Sequence, residues 1–184
     1  MTIVMPESDH MAMVQSLHDD LEVPDGFRAE IIGGEIVVSA SPMGQHAFVV
    51  SVVRNAIWPV RPTGYELYEV TTAQTASGQR YIPDLALWPV DIIRGATEWI
   101  FPAQLCRFAL EVTSPDAEYR DYKKGAGYAE SEVPIYLLVD GKQRECIVFT
   151  DPKGTDYRAE HRVPFGDPVV LPFETPVTVD TSAF

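Results

Sequence analysis

Two carboxylates stand inside runs that otherwise read as buried strand: Asp84 in "YIPDLALW" and Glu111 in "RFALEVTSP". Side chains alternate across a strand, so Asp84 shares a face with Ile82 and Ala86, and Glu111 with Ala109 and Thr113. Both acids therefore have small or apolar neighbours on their own face, which leaves room beside them. Burying a carboxylate shifts its pKa by about 3–5 units, roughly 4–7 kcal/mol, so a compensating charge is required. One lysine at about 4 Å returns roughly 4 kcal/mol at an effective dielectric of 20, and a divalent cation about twice that. Two adjacent acids with one lysine stay undercompensated, whereas two acids with a hard dication do not. Oxygen-only ligands select magnesium or manganese over zinc. Spacing alone equally allows a structural arrangement, in which Asp84 caps a turn and Glu111 pairs with Arg107 or Arg120.

A cation lies close by in sequence. The stretch "DYKKGAGYAES" carries Lys123 and Lys124 about one turn into the helix expected after the Glu111 strand. Asp121, Lys124 and Tyr128 fall at i, i+3 and i+7 on one helical face. That face can point to the C-terminal end of the sheet, where α/β proteins place their sites. A solvated basic edge is the commoner fate of a Lys-Lys pair. Gly125 and Gly127 have no third glycine and no GxxxxGK context, so they read as small residues for close packing. Ser114 has no adjacent base and no GxSxG frame, and reads as a helix cap. His10, His18 and His161 show no paired-ligand spacing. Trp58, Trp88 and Trp99 read as core and interface anchors.

These residues need elements to hold them. Residues 9–21 carry Val14, Leu17 and Leu21 at helical spacing. "FRAEIIGGEIVVSA" is a hairpin signal about Gly33-Gly34. From Met43 to Trp58, Phe48, Val49, Val52, Val53, Ala56 and Ile57 form one helical stripe that Pro59 stops. "GYELYEVTTAQTA" reads as a strand with some hairpin character and "RYIPDLALW" as another strand, with Pro83 marking a strand start, edge or bulge. "WIFPAQLC" reads as an irregular connection. "RFALEVTS" is a strand, followed by a helix from about Asp116 to Ser131. "PIYLLVD" is a near-continuous apolar strand of the kind covered on both faces. "RECIVFT", "DYRAEHRVPF" and "PVVLPF" complete the chain as short strands. The order gives one α/β domain over residues 1–184 with a mixed sheet, residues 1–13 being loosely ordered.

Composition narrows the function classes. A chain of 184 residues with 46% hydrophobic and 22% charged residues suits an ordinary soluble domain. No apolar run approaches the roughly 18 residues that cross a bilayer. No Lys or Arg precedes Arg28, so the basic start of a signal peptide is missing. Cys106 and Cys146 lack CxxC spacing, which suits a reducing cytoplasm. The formal charge of −13 opposes non-specific contact with nucleic acid, so such contact needs a local basic patch.

"YIPDLALW", "FALEVTSP" and "RDYKKGAGYAESEVPIYLLVD" together resemble the Uma-two family of restriction-endonuclease-like proteins, within the PD-(D/E)xK superfamily. "GFRAEIIGGEIVVSASPMGQH" is similar to its N-terminal hairpin and helix start, and "FTDPKGTDYRAEHRVPFGDPVVLP" to its C-terminal strands. The resemblance spans roughly residues 14–180. It implies a mixed β-sheet flanked by helices, with an N-terminal helix and hairpin. It further implies Asp84, Glu111 and the backbone carbonyl of Val112 as ligands of magnesium or manganese. The site lysine would come from the following helix, Lys124 fitting best and Lys123 remaining open. Glu30 or Glu35 on the hairpin, and His46 at the start of the first long helix, could join. The implied activity is metal-dependent hydrolysis of phosphodiesters, most readily DNA, by a cytoplasmic homodimer. Glu132 stands where the family usually has a turn glycine. A nuclease would need a basic groove around Arg107, Arg120, Lys123 and Lys124. The alternatives are a silent binding module of the same fold and a hydrolase of a small phosphorylated ligand.

Overall fold

The computed structural model describes residues 7–40, 44–113 and 118–184. The expected cap at Ser114 and the expected helix start at Asp116 lie outside these residues. Helix α1 spans Glu7–Asp19, so residues 7–13 belong to a helix. The hairpin follows as β1 (Phe27–Ile32) and β2 (Glu35–Ala40). Gly33 and Gly34 both take positive φ, 63° and 76°, which a tight two-residue hairpin turn demands. Helix α2 (Gln45–Ile57) ends in a 3-10 turn that contains Pro59.

Next come β3 (Tyr65–Tyr68), β4 (Thr72–Gln74), β5 (Arg80–Tyr81), β6 (Leu85–Pro89), the short α3 (Val90–Ile93) and β7 (Ile100–Pro102). The stretch "GYELYEVTTAQTA" forms two strands, β3 and β4, which enter different sheets. "WIFPAQLC" holds β7 and a 3-10 turn rather than irregular chain. The remainder is β8 (Phe108–Val112), α4 (Glu118–Glu130), β9 (Ile135–Asp140), β10 (Glu145–Lys153), β11 (Asp156–Pro164), β12 (Val169–Leu171) and β13 (Val177–Val179).

Among the described residues these strands form three sheets. The largest has the order β11-β10-β9-β8-β6-β3, parallel at β8–β9 and antiparallel at its other pairings. The parallel step is bridged by α4, as a crossover connection requires. A second sheet has the order β2-β1-β5-β4-β7, and β12 pairs with β13. One face of the large sheet, including Leu85, Leu87, Phe108, Leu110 and Leu137, packs on Val49, Val53 and Ile57 of α2 and on β12–β13. The opposite face, including Ala86, Trp88, Ala109 and Leu138, packs on Tyr128 of α4 and on Ala73 and Tyr81 of the second sheet. Every residue of β9 is buried, the outcome its apolar run implies.

The chain passes from the second sheet into the large one between β5 and β6, through Ile82, Pro83 and Asp84. Proline, lacking an N–H, suits the residue at which one ladder stops and another starts. Helix α4 presses close to this crossover. A Cβ on Gly127 would collide with the Tyr81 hydroxyl, so the helix needs glycine there.

Candidate active site

The antiparallel register of β6 and β8 pairs Leu85 with Leu110 and Ala86 with Ala109. Carried one residue further, it sets Asp84 opposite Glu111, on the face that carries Ala86 and Ala109. The Asp84 N–H donates to the Leu110 carbonyl at 2.9 Å, which holds this register at the site. The two alanines leave the space, and α4 fills it with a lysine.

Lys124 is 1% exposed, and its Nζ lies 2.9 Å from Glu111 Oε2, 2.8 Å from Glu30 Oε1 and 3.6 Å from Asp121 Oδ1. Glu111, also 1% exposed, accepts a second hydrogen bond at Oε1 from the Tyr128 hydroxyl at 2.8 Å. Asp121, Lys124 and Tyr128 therefore work from one face of α4. Glu30 Oε1 also accepts the Ile82 N–H at 2.8 Å, which ties the β1 strand to the crossover.

Asp84 has a different set of partners. Its Oδ1 accepts from Arg28 Nη1 at 3.0 Å, and its Oδ2 accepts the Val112 N–H at 2.8 Å. His46 Nε2 approaches Oδ2 to 3.0 Å without the alignment of a hydrogen bond, so that contact is one of proximity. Burial alone would raise the Asp84 pKa; His46, Arg28 and the Val112 N–H outweigh it and hold the carboxyl below the ordinary range. Glu111 goes the other way. Burial raises its pKa, Lys124 offsets part of that, and Asp84, Glu30 and Asp121 add to it, leaving it well above the ordinary value. Asp121 is pushed up to about 6, by burial first and then by Glu30 and Asp84 against Lys124. Burial would lower Lys124, but Glu111, Glu30 and Asp121 raise it beyond its usual value and keep it charged.

The structure thus brings Glu30, Asp84, Glu111, Lys124 and His46 into one cluster. Lys123 is exposed, its Nζ above Gly33 of the hairpin turn, and Glu35 is exposed at the start of β2. Arg107 does not reach Glu111. They stand four residue steps apart along the strand, about 13 Å at strand rise, and Arg107 lines a different cavity with Leu87, Ile135 and Phe173. The Arg120 side chain lies outside the described residues. The anticipated groove of Arg107, Arg120, Lys123 and Lys124 is therefore not assembled, because Arg107 is at the far end of β8 and Lys124 is consumed inside. Sequence reading missed Arg28, the cation on Asp84. Its signal was the i, i+2 pair Arg28 and Glu30, two opposite charges on one face of an otherwise apolar strand.

A protein family described as "Uma2: Putative restriction endonuclease" matches residues 15–180. The chain belongs to the Uma2 family. A solved structure of a putative nuclease belonging to DUF820 from Anabaena variabilis ATCC 29413 is similar in fold, with a TM-score of 0.62 at 19% identity. The likeness covers 84% of this Uma2 chain and 85% of that one. No curated protein matches. The mixed sheet flanked by helices, with its N-terminal helix and hairpin, is the fold the sequence implied. No helix among the described residues is long and apolar enough to cross a membrane.

Restriction-endonuclease-like proteins imply a divalent metal. Among the described residues, no three His, Cys, Asp or Glu side chains already converge as a metal shell. The donor set of this Uma2 site nevertheless suits a hard cation. Four buried carboxylates, Glu30, Asp84, Glu111 and Asp121, face two cations, Arg28 and Lys124, and full ionisation leaves two negative charges. Burial raises Glu111 and Asp121 first, and the neighbouring acids add to that rise. An oxygen-coordinated dication carries the charge that would cancel the excess.

Proposed function

We propose that this protein is a metal-dependent nuclease that hydrolyses phosphodiester bonds, DNA included. The observation that carries the reading is the Asp84–Glu111 pair on adjacent strands, with Lys124 Nζ 2.9 Å from Glu111. Membership of a family described as "Putative restriction endonuclease" supports it. Asp84 and Glu111, with the Val112 backbone beside them, would hold magnesium or manganese. That ion supplies a Lewis acid for the phosphoryl oxygens and a water of lowered pKa.

The chain's own groups do the rest. Arg28 and the Val112 N–H keep Asp84 ionised and fix its orientation. Glu30 and Asp121 hold the Lys124 ammonium beside Glu111, where it would fix that carboxylate and add positive charge next to the reacting phosphate. Tyr128 fixes the other Glu111 oxygen. In the reaction, a water oxygen bonds to phosphorus and the bond from phosphorus to the leaving sugar oxygen breaks. The water gives up one proton, and the departing oxygen takes one from solvent.

Calorimetric titration of manganese into wild type and Asp84→Ala, alongside cleavage assays on DNA, tests the reading. Binding and cleavage in wild type, both lost in the variant, are expected. Manganese binding without cleavage of any nucleic acid would sink the nuclease assignment and favour a silent module of the same fold.

A further inference from the structure

A cavity of about 350 Å³ reaches Asp84, walled by Phe27, Arg28, His46, Val70 and Pro83 among others. Ligand pockets run roughly 300–1,000 Å³, so this one holds a single small group rather than the flank of a duplex. Its walls are apolar apart from Asp84, Arg28, His46 and Glu69. Within the wall, the buried Arg28 Nε lies 3.8 Å from Glu30 Oε2 and the buried His46 Nε2 lies 3.0 Å from Asp84 Oδ2, each without the alignment of a hydrogen bond.

The apolar wall has two features that core packing does not account for. Phe27 is 50% exposed and Val70 is 84% exposed. Val70 also takes φ +56°, a left-handed conformation that a β-branched residue adopts only under constraint. Such strain clusters at functional sites. An exposed side chain buries nothing in return. An exposed aromatic ring such as Phe27 stacks on a base, and an exposed apolar side chain beside it packs against the base edge.

The charges around the cavity point to the same class of ligand. Duplex binding depends on lysines and arginines free to neutralise phosphates along a track. Here Arg54 is tied to Glu69 at 2.7 Å and Arg61 to Glu66 at 3.2 Å, in a chain of net charge −13. A single strand has half the phosphates and offers unpaired base faces.

We propose that this cavity is a subsite for one unpaired base of a single-stranded polynucleotide, stacked against Phe27 and Val70 with its phosphate beside Asp84. The placement of that phosphate rests on the nuclease reading; the stacking rests on the cavity alone.

The test is binding by fluorescence anisotropy of the full chain, in calcium, with cleavage followed separately in magnesium and manganese. The probes are a short labelled single strand in DNA and RNA forms, its duplex, and an abasic strand of equal length. The single strand should bind roughly tenfold or more tightly than the duplex or the abasic strand, the loss expected for one base stack. The DNA and RNA arms show which sugar the site takes. Val70→Gly should stabilise the fold, by relieving the positive φ, and yet weaken single-strand binding severalfold; Phe27→Ala should weaken it likewise. Equal binding of duplex or abasic strand, or unchanged affinity in Val70→Gly, overturns the subsite even if cleavage is robust. Base-dependent binding with no cleavage of any strand upholds the subsite and overturns the nuclease reading instead.

Discussion

Asp84 and Glu111 are cross-strand neighbours, yet their surroundings push them in opposite directions. Asp84 is reached by solvent through the cavity and held by an arginine, a histidine contact and a backbone N–H; its charged form is favoured. Glu111 is sealed beneath α4 among other acids, and burial raises its pKa despite a lysine at 2.9 Å. Environments that separate the behaviour of two carboxylates separate their roles. Asp84 is the fixed negative pole of the site, and Glu111 is the member whose charge must be compensated from outside.

The harshest way to break this comparison is to remove each acid's cation. Lys124→Met strands Glu111 and Glu30 without their ammonium and should cost about 3–5 kcal/mol in urea unfolding of the metal-free protein. Arg28→Met should cost less, about 1–3 kcal/mol, because Asp84 keeps the Val112 N–H. Equal losses would mean that the two halves are electrostatically alike.

Neutralising the acids themselves tests each site directly. In metal-free protein at pH 8, Asp84→Asn should lose about 1–3 kcal/mol, since it forfeits a favoured charge. Glu111→Gln should lose at least as much, since its NH2 group must face either the Lys124 ammonium or the Tyr128 hydroxyl, both of which donate to Glu111. Turnover should fall in both.

The pH dependence has a definite sign. Asp121 rises from 3.8 to about 6, so its charged form is penalised in the fold; the penalty is absent below the unfolded value and complete above about 6. Metal-free protein should lose stability as pH rises through that window, and Asp121→Asn should flatten the loss. Asp84 runs oppositely, its contribution present above its unfolded value and lost as pH falls through its lower folded one. Magnesium should therefore raise the melting temperature more at pH 8 than at pH 5, read by differential scanning fluorimetry. The smallest effect belongs to Lys123→Ala, on the exposed side of α4, which should change stability by no more than about 0.5 kcal/mol. Loss of turnover there with activity retained in an Lys124 variant would transfer the lysine role.

Strand alternation made the shared face of Asp84 and Glu111 legible, because small neighbours at Ala86 and Ala109 are a local property. Helical spacing did the same for Asp121, Lys124 and Tyr128. The second sheet was not legible: β4, β5 and β7 are two or three residues each, too short for any period to register. Arg28 was missed since its partner lies 56 residues away and only pairing between sheets joins them. The basic groove was misjudged for a related reason. Proximity in sequence put Arg107 beside Glu111, whereas an extended strand carries its two ends apart.

The crossover between the sheets has one more use. At both of its sides a backbone amide answers to a carboxylate rather than to a ladder: Ile82 to Glu30 and Val112 to Asp84. Deuterium can enter at those two positions when an acid lets go, without any strand separating. Their exchange rates are thus a built-in, label-free gauge of where Glu30 and Asp84 spend their time, readable in the intact protein as cations or strands are added.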